Sequence, residues 1–386
     1  MDGEFESDET AQPGYLPRDV VVTPPDDPIL TSADVAQAFA AKAAVDPQAL
    51  LLLARTSLAA GKTEDAVAQV RRAVDLSGGD REIVARARSL INDSVPSFHF
   101  VIVHDQVRND AYEAALRRAV SPGMRVLEIG TGSGILALMA ARAGARVISC
   151  EMNPVIAEAA ERVIAANGFS DRVRVIAKRS DKLDVHADLG GPMDLLVSEI
   201  VSNNLLSQDI LGAHRHAIRA LLKPGAPVIP ASGRLRIALA ESSSEAERQM
   251  GTVSGFDLRA FNGLCAAHRR LSPQEMASLV WRSNVADLFP FDFSRPGIAA
   301  ARRSRLPLTA TGGRVNGIAQ WIRLHLDGET SYENGPDISF KSCWAMMFHP
   351  LPVPIETRPG EEVWVGSWHN DAQLEIWVET RDGIAR

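Results

Sequence analysis

One stretch limits what the rest of the chain can be. Val126-Leu127-Glu128-Ile129 reads as a short apolar strand, Gly130-Thr131-Gly132-Ser133-Gly134 as a tight turn, and Ile135–Ala143 as an alanine-rich helix. Val147-Ile148-Ser149-Cys150 then reads as a second strand, followed by the acid Glu151. This order opens a doubly wound α/β domain with a nucleoside pocket at its strand ends. Glycines let the backbone approach a ligand where a Cβ would clash. An acid after the second strand can accept hydrogen bonds from a ribose diol.

The same residues argue against the commoner nucleotides. The spacing is Gly130-x-Gly132-x-Gly134 rather than G-x-G-x-x-G, and no Lys or Arg stands in the turn. A phosphate site usually has a basic partner. Glu128, just ahead of the glycines, suits a cationic ligand better than a pyrophosphate. The turn resembles the S-adenosylmethionine loop of class I methyltransferases, whose ligand carries a sulfonium and an amino acid tail.

At 386 residues and 46% hydrophobic, the chain can bury two or three cores. No run of about 18 apolar residues appears, so no membrane span is expected. The acidic N-terminus lacks the pattern of a secretory signal. Cys150, Cys265 and Cys343 are too few and too scattered for a disulfide framework or zinc cage. Nine histidines are scattered as well, so no metal is expected. Together these point to a reducing cytoplasm.

The net charge of −7 is local. Residues 1–30 hold eight acids, one base (Arg18) and five prolines, and residues 31–386 balance to zero. A neutral body argues against nucleic acid as the main partner. The acidic arm is either a solvated tail or a lid over the active site, with Phe5, Tyr15 and Leu16 as apolar anchors.

Residues 31–95 read as helices. Thr31 or Ser32 caps a first helix, Asp46-Pro47 starts a second, Thr63 a third, and Gly78-Gly79-Asp80 precedes a fourth. Small residues at the crossings resemble one to two tetratricopeptide units, too few for a free-standing solenoid. Residues 96–231 alternate strands and helices, with strands at Arg125–Ile129, Val147–Glu151, Val173–Ala177, Asp194–Ser198 and Ala226–Pro230. From residue 232 to 386 the pattern turns to short strands, including Leu235–Leu239, Gly317–Leu326, Cys343–Phe348, Glu362–Trp368 and Gln373–Glu379, as in a β-barrel or sandwich. Within it, Ser272–Leu288 is the candidate dimerisation arm, with Met276, Leu279, Val280, Trp281 and Leu288 as its apolar residues.

From about Phe98 to Glu379 the chain resembles the protein arginine methyltransferases, most of all the branch that makes only monomethylarginine. The residues that carry the resemblance are His104-Asp105-x-x-Arg108-Asn109, the Glu128–Gly134 loop, Glu151, Asn167-Gly168-Phe169-Ser170-Asp171, Ser198-Glu199 and Ser342-Cys343-Trp344. The resemblance implies a class I methyltransferase domain followed by a β-barrel, S-adenosylmethionine as cofactor, and a homodimer. By position, Arg108 takes the methionyl carboxylate, for which a guanidinium fork is suited. Gly130, Thr131, Gly132 and Gly134 form the loop around the cofactor with Glu128, Glu151 and Met152 take its ribose side, and Ser180 and Asp181 fall where the family contacts adenine. Glu199 falls in the place of the first substrate glutamate, facing the guanidinium and the methyl donor. Asn203 and Trp344 fall near the substrate.

Two positions depart from the family. The second substrate glutamate is replaced by Gln208, which accepts hydrogen bonds but carries no charge. Asp209 beside it points about 100° away if the segment is helical. Cys343 stands where the family has a histidine paired with an aspartate, here Asp105. Asp105 is then expected to turn to His104, His99 or solvent, and Cys343 to be a small packed residue.

The expected activity is monomethylation of an arginine guanidine. Free L-arginine is preferred over protein arginine because of the altered glutamate loop and the bacterial-looking composition, and the chain looks similar to L-arginine methyltransferases of natural-product biosynthesis. A free amino acid needs partners for its own carboxylate and ammonium: the acidic arm, His99, Ser202, Asn203, Asn204, or His369, Asn370 and Asp371. The alternatives are a protein arginine methyltransferase, a helical-repeat scaffold with a vestigial methyltransferase domain, and methylation at another atom.

Overall fold

The computed structural model describes residues 45–295, 302–336 and 342–379. The acidic arm 1–30 and the first expected helix, from Thr31 to Ala43, lie outside the described residues.

Three helices come first: α1 (Pro47–Ala59), α2 (Thr63–Leu76) and α3 (Arg81–Asp93). Asp46 caps α1 by accepting from the Gln48 N–H, with Pro47 in the first turn, and Asp80 caps α3. Short polar side chains there satisfy N–H groups that have no helical partner. The three helices bury Leu50, Leu51, Val70 and Ile83 against one another in a core of their own.

A short helix α4 (Phe98–Ile102) and a longer one, α5 (Gln106–Ala119), lead into the α/β domain. Its strands are β1 (Arg125–Ile129), β2 (Arg146–Cys150), β3 (Val173–Ile176), β4 (Leu195–Ser198) and β5 (Val228–Ile229), and its helices α6 (Ile135–Arg142), α7 (Pro154–Ala166) and α8 (Ile210–Ala220). All five strands are parallel, in the order β3-β2-β1-β4-β5. Buried Val126, Leu127, Leu195, Leu196 and Val197 form the centre of the sheet, as two-sided burial requires. The order reverses between β1 and β4, where Ile129 pairs with Ser198. Ligands of such sheets bind at this crevice, beyond the strand ends.

The C-terminal part is antiparallel. It contains β6 (Ser232–Glu241), β7 (Ala286–Asp292), β8 (Arg302–Thr309), β9 (Gly313–His325), β10 (Met347–Thr357), β11 (Glu362–His369) and β12 (Leu374–Val378). β9 lies between β6 and β10, β7 pairs with β6, and β8, β11 and β12 form a separate three-stranded sheet. The expected strand at Cys343–Phe348 begins only at Met347. The N–H groups of Cys343, Trp344 and Ala345 go to side chains of Asp105, Ser342 and Asn203 instead of a strand ladder.

In the candidate dimerisation arm, 272–288, Val280 is exposed and the other apolar residues face inward. Ser272 and Glu275 form a capping box on a short helix, Pro273–Ser278. Met276, Leu279 and Trp281 then pack inward against Trp321 and Phe348, and Leu288 is buried in β7. One exposed apolar surface lies earlier, where a hairpin of Thr252–Val253 and Phe256–Asp257 precedes a 3-10 turn, Arg259–Leu264. Phe256 is 72% exposed, Phe261 58% and Leu264 75%.

Candidate active site

Three loops leave the parallel sheet side by side. Ile129 pairs with Cys150 on one side and Ser198 on the other, so Gly130, Glu151 and Glu199 emerge as neighbours. Gly130, Gly132 and Gly134 all have positive φ, which L side chains resist. Gly130 is required for a second reason. A Cβ there would stand 2.7 Å from Cγ2 of Ile200, so only glycine lets the segment after Glu199 cross the turn.

Glu151 accepts from the Gly132 N–H at 3.2 Å and the Asn153 N–H at 3.0 Å. Burial pushes its carboxyl above the ordinary range, against the pull of those N–H groups. Glu128 is fully buried, and one of its oxygens accepts from the Ser149 hydroxyl, which is also bonded to Thr131. Its other oxygen, Oε1, has no partner, and burial raises the carboxyl to about 8. Met152 is 63% exposed beside Glu151, and the His99 ring lies over Gly132. Ser180 is buried in a 3-10 turn, whereas Asp181 is exposed and paired with Arg179 at 3.0 Å.

Arg108 and Glu199, 91 residues apart, meet at the centre. Arg108 Nη2 donates to Glu199 Oε2 at 3.0 Å, with 3% and 8% of the two side chains exposed. Nη1 of Arg108 donates to Asn109 Oδ1 at 2.7 Å, and the guanidinium stands 5.5 Å from the Tyr112 ring centre. Arg108 Nε and Glu199 Oε1 are buried without a partner. Burial raises the Glu199 carboxyl to about 7, although Arg108 pulls the other way.

The two departures resolve differently. Gln208 is exposed in the turn before α8, and Asp209 is the residue before that helix, with φ of 59° and an ion pair to Arg179. Neither is hydrogen-bonded to Glu199. Asp105 turns to none of His104, His99 or solvent. It is buried, accepts from the Arg108 N–H at 3.0 Å, the Tyr332 hydroxyl at 2.6 Å and the Cys343 N–H at 2.9 Å, and so fastens α5 to the C-terminal part. Tyr332 also bonds Ser342 at 2.7 Å. Burial, with Glu199 nearby, pushes the Cys343 thiol well up, so it stays protonated.

Asn203 and Trp344 brace the Glu199 loop. Asn203 Oδ1 accepts from the Ala345 N–H at 2.9 Å, and Trp344 Nε1 donates to the Val201 carbonyl at 3.0 Å. Ser202 and Asn204 bond each other at 2.7 Å within that loop. His369 is buried edge-on to Phe289 and Phe291, Asn370 closes its own turn onto Gln373, and Asp371 pairs with Arg215 at 2.8 Å. Tyr112, His214 and Tyr332 join the site without a motif of their own. Tyr112 stands four residues after Arg108 on one helix face, a usable signal. The other two carried none. Among the described residues no acidic, histidine or cysteine group is arranged for a metal, and no helix is long and apolar enough to cross a membrane.

A parallel sheet with this glycine turn, a buried acid after its second strand and a carboxylate at the switch point has the form of a class I methyltransferase domain. A family model for ribosomal protein L11 methyltransferase (PrmA) matches residues 113–248. An arginine N(omega)-methyltransferase of Streptomyces achromogenes subsp. streptozoticus is 39% identical over 290 residues, covering 74% of this chain and 79% of that protein. Protein arginine N-methyltransferase 7 of Drosophila erecta is 29% identical over 73% of this chain, which spans only 47% of that relative. Among solved structures, the Trypanosoma brucei PRMT1 enzyme–prozyme heterotetrameric complex with AdoHcy matches with a TM-score of 0.65, 22% identity, and 76% and 96% of the two chains covered. Arabidopsis thaliana protein arginine methyltransferase 10 matches at 0.58, with 20% identity and 74% and 93% covered. The chain belongs to the arginine N-methyltransferase family, and it is an S-adenosylmethionine-dependent N-methyltransferase.

Proposed function

We propose that the enzyme moves one methyl group to a terminal guanidine nitrogen of arginine, with free L-arginine as preferred substrate and Nω-methyl-L-arginine as product. The observation that carries this is Glu199. One of its oxygens is held by Arg108, and the other is buried at the switch point with no partner. An orphaned buried acceptor is costly unless a ligand donor fills it. A guanidinium brings N–H donors in a rigid planar fork.

The residues suit the cofactor. Arg108, with an unpartnered Nε, fits a carboxylate, Glu151 a ribose diol, and the Gly130–Gly134 backbone and Thr131 a close-lying ligand. Glu128, Met152, Ser180 and Asp181 complete the set we assign to it. When bound, the cofactor supplies an electrophilic methyl. A guanidinium keeps its proton in ordinary surroundings and is a poor nucleophile while its charge is delocalised. Glu199 draws that charge toward the nitrogens it faces and fixes the remaining one in line, and alignment of this kind supplies much of a displacement rate.

Free arginine is favoured because the 39%-identical relative, matched over 79% of its length, is named for arginine and not for protein arginine. The solvent position of Gln208 supports the same choice, since it leaves Glu199 without a second acid of the family loop. We assign Gln208, Asn203, Cys343 and Trp344 to shaping the substrate side rather than to proton chemistry. The test is transfer to free arginine against an arginine-glycine peptide, with products resolved by mass spectrometry. Transfer to the peptide alone would establish the protein-directed reading.

We further read residues 47–93 as tetratricopeptide-like hairpins, the C-terminal sheets as a barrel, the location as cytoplasmic and the enzyme as a homodimer. The exposed apolar surface at 250–264 supports the dimer better than 272–288 does.

A further inference from the structure

Ser198, the residue before Glu199, is held from two directions by groups to which the reading above gives no task. Its hydroxyl lies 2.6 Å from Nε2 of His214 on α8, and its carbonyl accepts from the Tyr112 hydroxyl at 3.1 Å. All three residues are buried. On its far side the imidazole meets the Phe293 carbonyl, 3.3 Å from Nδ1, and the Phe293 ring stands edge-on at 5.6 Å.

These contacts define one protonation pattern. A carbonyl can only accept, so Nδ1 carries the proton and donates to Phe293, leaving Nε2 as the acceptor of the Ser198 hydroxyl. Burial agrees with a neutral ring, lowering His214 to about 4. Both polar ends of Ser198 are therefore occupied at the last position of β4, and the next residue leaves the sheet in a fixed direction. Tyr112 links the clamp to the other half of the ion pair, since it lies under the guanidinium of Arg108.

We propose that His214 is a positioning residue for methyl transfer. By accepting from Ser198 it sets the exit of β4 and so the placement of Glu199 against Arg108 and the substrate guanidinium. The assignment rests on the substrate-facing role given to Glu199 above. His214 touches neither Arg108 nor Glu199 by hydrogen bond, so its effect runs through Ser198.

The experiment compares His214→Phe, which keeps a ring but cannot accept, with His214→Gln, whose carbonyl can. Ser198→Ala and the double variant H214F/S198A complete the set. Binding of S-adenosylhomocysteine is titrated in each to count folded sites, and kcat and KM for arginine are measured per site. The expected result is full stoichiometry, cofactor affinity within about twofold of wild type, and kcat at least about tenfold lower in His214→Phe and Ser198→Ala. His214→Gln should recover most of the rate, and the double variant should be no slower than either single one. A folded His214→Phe with wild-type kcat would overturn the assignment, as would strictly additive losses. If His214→Phe does not fold, the small change Ser198→Ala decides by the same criteria. Wild type assayed alongside separates the two failures. No transfer to arginine by wild type overturns the guanidine reading and this assignment with it, whereas retained transfer by the variants overturns this assignment alone.

Discussion

Arg108 and Glu199 form a buried ion pair at 3.0 Å across the mouth of the parallel sheet. The first stands on α5 and the second follows β4, the strand beside the one that leads into the glycine turn. Residues assigned to two different ligands are thus direct partners. A buried pair of this kind is weak evidence for stability, because desolvation offsets much of its attraction. It is better understood as two charges kept ready for incoming groups of opposite sign.

Glu199→Gln should keep the fold and cofactor affinity while lowering kcat for arginine by at least about a hundredfold. Isothermal titration with S-adenosylhomocysteine and a radiolabelled methyl assay measure the two quantities. An active variant would point to methylation at another atom.

Arg108→Lys should weaken cofactor binding by about tenfold or more, because an ammonium cannot reproduce the fork of the guanidinium. Direct titration checks this. Unchanged affinity would remove Arg108 from the cofactor site.

The pH dependence follows from Glu199, raised to about 7 by burial. Only the carboxylate can hold a guanidinium, so log(kcat/KM) for arginine should rise with unit slope toward pH 7 and level off above it. Stability moves the other way. The folded-state value lies above the ordinary 4.5, so the stabilisation is complete below that range and is lost as pH rises through about 7. Glu128, raised to about 8, extends the trend. The Tm of the ligand-free enzyme should therefore decline from pH 5 to 8, and Glu199→Gln should flatten the lower part of that decline.

Tyr332→Phe removes one donor from the buried Asp105 carboxylate. The expected loss is about 1–3 kcal/mol in urea unfolding. A loss near zero would mean that the Cys343 and Arg108 N–H groups alone satisfy Asp105.

Charging the exposed hairpin, with Phe256→Asp and Phe261→Asp together, should convert a homodimer into a monomer in light scattering. Trp281→Ala should leave the dimer intact, because that ring packs on Trp321 within its own chain.

The parts of the fold that are local in sequence were legible in sequence. Glycine at 130, 132 and 134 demands a turn, and Asp46 and Asp80 each stand before a helix they cap. Strands β7 and β8 are not legible in sequence because Pro290 and Pro307, with Arg302, Arg303 and Arg305, break the apolar alternation that marks a strand. Glu199 could be found because its neighbours resemble a family. Tyr332 could not, since nothing near position 332 signals a carboxylate 227 residues upstream. Apolar residues cluster in sequence at 272–288, but Met276, Leu279 and Trp281 pack into the chain's own core, which only the tertiary structure shows.

The reach of that same Asp105–Tyr332 bond has a consequence for biosynthesis. At about 5–20 residues per second, roughly ten seconds or more separate translation of the aspartate from that of the tyrosine. During that interval the helix bearing Arg108 lacks its anchor, although the glycine turn and all five parallel strands have already been made. The glycine turn and the parallel sheet are therefore made before the contact that anchors the Arg108 helix, which can form only once Tyr332 has been translated.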